Sequence, residues 1–99
     1  MKEKDITRFR EALKLQISLL AEHYQVQSLG IFGSYVRREQ HSDSDLDVLV
    51  TFSETPSLLK FIALENYLSD LLGVKVDLVM QDALKPNIGQ HILREVTRI

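Results

Sequence analysis

The sequence predicts an α/β chain of the α+β kind, with a small three-stranded sheet covered by helices. Three observations carry this. Apolar residues recur at helical spacing in two long segments, short runs rich in β-branched and aliphatic residues lie between them, and turn residues separate the two kinds of segment. The element order is α-β-α-β-α-β-α. No linker, repeat or charge block interrupts it, so residues 1–99 are expected to form a single domain with one core.

The first helix is expected over residues 5–24. Ile6, Phe9, Leu13, Ile17, Leu20 and Tyr24 recur at steps of three and four and so share a face, while Arg8, Arg10, Glu11, Lys14 and Glu22 take the others. Residues 26–32 read as a strand ending at Gly33. Residues 34–40 suit a short helix, and 41–44 have turn chemistry. The second strand is expected over 45–52. A second long helix should start near Pro56, which suits a first helical position, with Thr55 as its cap. Leu59, Ile62, Ala63, Leu68, Leu71 and Leu72 are its expected apolar side, and Gly73 stands where a helix C-terminus wants it. Residues 74–80 alternate as a third strand, with Val74, Val76, Leu78 and Met80 on one face. Asp82 or Pro86 opens a last short helix carrying Ile88, Ile92, Leu93 and Val96. Connections of these lengths leave both parallel and antiparallel pairing open.

Composition excludes several classes. An apolar share of 44% and a charged share of 26% are ordinary for a globular protein. The absence of cysteine removes disulfides and thiolate metal sites. The charged start Met1-Lys2-Glu3-Lys4-Asp5 leads into an amphipathic pattern rather than a signal core, and no apolar run is long enough to cross a bilayer. A cytoplasmic location with no membrane partner is the expectation. A net charge of −2 without a basic stripe argues against nucleic acid as a partner for this domain alone.

The chemistry concentrates between Gly33 and Asp77. Asp45 and Asp47 are two apart on a strand, so both carboxylates leave the same face, where they repel unless a cation lies between them. Magnesium suits such a site, being a hard cation that takes oxygen ligands and keeps waters for incoming phosphates. Asp77 is a third acid within an apolar strand. Val76, Leu78 and Val79 make solvent exposure unexpected there, and a strand placed beside the second would bring Asp77 to the other two acids. Three carboxylates can hold two metal ions, which clamp the attacking and leaving oxygens of an in-line displacement. Gly33 lets backbone approach a ligand closely, Ser34 adds a hydroxyl at the start of a helix, and Arg37 lies one turn on, able to reach phosphates or steady a carboxylate. His23 and His91 read as surface helix residues; Tyr35, next to Ser34, either flanks a nucleotide or, as is more usual for such a residue, simply packs.

Gly33-Ser34, ten residues, Asp45-Leu46-Asp47 and a distant Val76-Asp77-Leu78 together resemble the minimal nucleotidyltransferases (MNT) of the DNA polymerase β-like superfamily, specifically the antitoxin partners of HEPN–MNT toxin–antitoxin pairs. The resemblance spans nearly the whole chain. It implies a nucleotidyltransferase-like fold and an enzyme that transfers AMP from ATP to a hydroxyl of a partner protein, a HEPN toxin. It also implies Asp45, Asp47 and Asp77 as catalytic metal ligands for two magnesium ions, with Asp77 as a candidate base, and Gly33, Ser34 and Arg37 as the nucleotide-binding residues. Val36 and Arg38 depart from the usual Gly-Ser-x-Ala-Arg-Gly pattern. Two rivals share this outline: an antitoxin that masks its partner by binding, with a vestigial site, and an enzyme acting on a small hydroxyl-bearing molecule.

Overall fold

The computed structural model describes residues 6–37, 39 and 45–99. The expected turn over 41–44 and the departure at Arg38 lie outside the described residues. In chain order the elements are α1 (Ile6–Tyr24), β1 (Val26–Phe32), α2 (Ser34–Arg37), β2 (Leu46–Phe52), α3 (Leu58–Leu72), β3 (Val76–Met80), a 3-10 turn (Gln81–Ala83), α4 (Pro86–Glu95) and β4 (Thr97–Arg98).

Among the described residues the sheet has four strands rather than the expected three, in the order β3-β2-β1-β4. Strand β4 is two residues long and pairs antiparallel with β1 through Gly30↔Arg98 and Ile31↔Thr97. Two residues are too few to show a period-2 pattern, so only the pairing reveals them. β1 and β2 are antiparallel, whereas β2 and β3 are parallel, joined by the α3 crossover.

On one face, α1 and α3 cover the sheet. Phe9, Leu13 and Leu20 from α1 and Leu64, Leu68 and Leu72 from α3 meet Leu29 and Ile31, Leu46, Val48 and Val50, and Val76 and Leu78 from the strands. The α1 stripe is the one read from the sequence: Ile6, Ile17 and Tyr24 pack against this core from its margin. For α3 the expected side is half wrong. Leu59 is 80% exposed and Ile62 42%, and Ala63 is also exposed. Apolar residues lie on both the covered and the open side of α3, so hydropathy could not choose its inward face; contact with α1 and β3 does. Its start is corrected too. Ser57 is the cap, its hydroxyl accepting from the Lys60 amide at 3.2 Å, and Thr55 and Pro56 precede the helix. Gly73 ends α3 in the left-handed conformation, as expected. Pro86 opens α4, with Ile88 and Leu93 largely exposed. Among the described residues no helix is long and apolar enough to cross a membrane.

Candidate active site

The opposite face of the sheet, toward α4, holds the acids. Alternation along β2 sends Leu46 and Val48 into the core and Asp47 the other way. The parallel register sets Asp47 directly beside Asp77, so that the two carboxyl groups act on each other. Asp77 is exposed, contrary to the expectation from its apolar neighbours. Val76 and Leu78 are buried because they face α3; Asp77 points to the other side of an edge strand. Asp45 immediately precedes β2 and acts on Asp47 through charge. Among the described residues no three carboxylates or imidazoles close to metal-ligating distance.

Asp47 is half-buried, and burial foremost, then repulsion from Asp77 and Asp45 and the hydrogen bond to Asp77, push its pKa up to about 6, against a smaller downward pull from Arg37. The Tyr35 phenol is likewise raised, by burial first and by the Asp45 charge second. Tyr35 is a core residue, edge-on to Phe9 at 5.7 Å between ring centroids, and fixes α2 against α1.

Gly33 follows β1 with φ +84°, and a Cβ there would fall 2.0 Å from Asp47 Oδ2. Only glycine permits the strand end to bend so closely over that carboxylate. After this bend α2 makes a single turn, its Val36 and Arg37 amides donating to the Gly33 carbonyl at 3.0 and 3.2 Å. Arg37 steadies carboxylates: Nε donates to Glu39 at 3.0 Å and Nη1 to both oxygens of Glu95 at 3.1 Å. These hydrogen bonds, Glu39's first, raise the guanidinium pKa further above neutrality.

Glu95 escaped the sequence reading. It sits at the end of an amphipathic helix, where a glutamate ordinarily faces water. Here its Oε2 also accepts the Gly33 amide at 2.9 Å. No local signal marks it, since its partners lie 58 and 62 residues away. Phe32, Gly33, Arg37, Asp47, Ile92 and Glu95 contribute to a cleft of about 460 Å³, within the size range of small-molecule sites. His91 reaches the cleft rim from α4 while remaining exposed, as its sequence position suggested.

Comparison with known proteins agrees with this geometry. Residues 13–98 match the nucleotidyltransferase domain family. The protein adenylyltransferase MntA of Thermococcus cleftensis is 56% identical over 80 residues, covering 81% of each chain. A Methanocaldococcus jannaschii relative, MJ0128, is 54% identical over 90 residues, covering 90% of this chain and 92% of its own. A solved structure assigned as a minimal nucleotidyltransferase superposes with TM-score 0.80 at 38% identity over 96% of each chain. A toxin–antitoxin crystal structure with AMP-PNP gives 0.69 at 28% identity, over 83% of this chain and 67% of that one. With an Asp47–Asp77 pair beside a Gly33-Ser34 turn on a matching fold, the chain belongs to the nucleotidyltransferase family, in its minimal form.

Proposed function

We propose that the chain transfers AMP from ATP to a hydroxyl of a partner protein, and that the partner is a HEPN-domain toxin silenced by the modification. The observation that carries this reading is the Asp47–Asp77 pair lying against the Gly33 bend. Such a site offers oxygen donors for a cation directly beside a backbone turn suited to phosphate. The naming of MntA as a protein adenylyltransferase and the toxin–antitoxin neighbour with AMP-PNP support the same chemistry and the same class of acceptor.

The residues fit magnesium. All donors are carboxylate oxygens, and Asp47 and Asp77 stand side by side, where a cation would relieve the repulsion between them. Asp45, Asp47 and Asp77 would hold the metal, two ions in the full complement. Bound there, magnesium would neutralise the charge on the phosphates and on the attacking and leaving oxygens. The chain's own contribution is placement. Gly33 and Ser34 receive the triphosphate, and Arg37 supplies positive charge at the wall of the cleft. Asp77, at the exposed edge, is open to the acceptor and takes the proton of its hydroxyl.

Labelled ATP tests the proposal. The protein is incubated with a co-expressed HEPN-domain partner, magnesium, and ATP labelled at the α or the γ phosphate. Transfer of AMP puts the α label on the partner and releases the γ label with pyrophosphate. Equal inhibition of the partner without ATP, and with Asp45 and Asp47 both replaced, identifies a masking antitoxin instead. Labelling of a small hydroxyl compound but no protein identifies the other rival.

A further inference from the structure

The sheet, the glycine bend and the C-terminal helix form a closed circuit around one side chain. β1 runs directly into Gly33. On its other edge β1 holds β4, which begins two residues after Glu95. Glu95 closes the loop by accepting the Gly33 amide at 2.9 Å, and it ties in Arg37 with both carboxylate oxygens at 3.1 Å.

The backbone that carries Glu95 is held on both sides. Across it, the Val96 amide donates to the Ile92 carbonyl at 2.9 Å and closes the last turn of α4. After it, Thr97 pairs with Ile31 and the Ile99 amide donates to Leu29 at 3.0 Å. Val96 packs so closely on Gly30 that a Cβ at Gly30 would lie 2.5 Å from Val96 Cγ2. A carboxylate on such a support is a bracket, with only its own rotamers free. Its side chain is 27% exposed, whereas Glu39, the second partner of Arg37, is 64% exposed. Hydrogen bonds to an ionised acceptor are the strong ones, more so when shielded from water.

We propose that Glu95 is a positioning residue for nucleotide transfer, its carboxylate fixing the Gly33 bend and the Arg37 guanidinium relative to Asp47. The role rests on the nucleotidyl-transfer reading above. Gly33 lies against the Asp47 carboxylate, so wherever Gly33 sits determines how far a phosphate on the Gly33-Ser34 turn stands from the acids. Displacement of such a group by about 1 Å can cost on the order of a hundredfold in rate. The same observations give the short strand β4 a purpose, because it anchors the bracket to the sheet.

The test uses the full chain as wild type, Glu95→Ala, Glu95→Gln and Glu39→Gln. Binding of AMP-PNP with magnesium is measured by calorimetry, melting temperature by scanning calorimetry, and the Gly33 amide by NMR. Glu95→Ala is expected to weaken AMP-PNP binding by roughly tenfold or more, the scale seen when groups that orient a site are removed. Its Gly33 amide proton should move upfield as the hydrogen bond is lost. Glu95→Gln keeps an acceptor oxygen, so the amide shift and most of the affinity return; Glu39→Gln leaves both near wild type. Unchanged affinity in Glu95→Ala, with only a lower melting temperature, overturns the role. Tighter binding overturns it too, making Glu95 a competitor for the phosphate seat, and so does equal weakening by Glu39→Gln. If wild type itself fails to bind AMP-PNP, the nucleotidyl-transfer reading falls, and the role of Glu95 with it.

Discussion

Leu46, Val48 and Val50 leave β2 toward α1 and α3 and are fully buried, while Asp47 leaves the same strand toward α4 and remains half in contact with water. The first face is a sealed apolar layer to which two helices of 19 and 15 residues contribute. The second is a partial cover by the 10 residues of α4, with a cleft left beside the acids. One strand thus serves stability with alternate residues and chemistry with the rest. The half-open face is therefore a condition of function. Closing it as the first face is closed would bury carboxylates at high cost and leave no path for a nucleotide.

Substitutions on the two faces should therefore separate. The largest effect is expected from Gly33→Ala, which joins them. Its Cβ would meet Asp47 Oδ2, and φ +84° is itself strained for alanine by roughly 1–3 kcal/mol. Chemical denaturation should show a clear loss of stability, and AMP transfer should disappear. Normal activity would contradict the close approach. Next, Leu68→Ala on the sealed face should cost about 2–5 kcal/mol in a urea titration. AMP transfer per folded molecule should stay near wild type, and a selective loss of transfer would show that the two faces are not independent.

Asp47→Asn should do the reverse. Transfer is expected to be abolished, while the fold becomes more stable at neutral pH. The sign follows from linkage. With its pKa raised to about 6, native Asp47 keeps its proton over a range where the unfolded chain, with the ordinary carboxyl value of 3.8, has lost it. Wild type accordingly loses stability from this group as pH rises from about 4 to about 6, and the variant does not. Melting curves should coincide near pH 4 and separate in favour of the variant above pH 6. Magnesium should narrow that gap by stabilising only the wild type. A gap independent of pH would contradict the repulsion. The smallest effect is expected for Leu59→Gln on the outward side of α3, within about 0.5 kcal/mol of wild type by urea denaturation. A loss of several kcal/mol would restore the face of α3 that hydropathy suggested.

Much of this protein was legible in the sequence because the signals are local. The α1 stripe, the three principal strands, the glycine that ends α3 and the Asp45-Leu46-Asp47 alternation all depend on periods of two or about 3.6 residues, which any short window displays. Family motifs then carried the chemistry assigned to Gly33-Ser34 and the acids. What local patterns could not decide was which side of the largely apolar α3 turns inward, how β2 and β3 pair, and whether a two-residue strand exists. Nor could they show that Asp77 faces solvent, or that Glu95 reaches Gly33 across 62 positions. Those outcomes depend on which surfaces meet after collapse. A side chain's period along the sequence tells its direction relative to its neighbours, but only packing of the finished sheet decides what stands opposite.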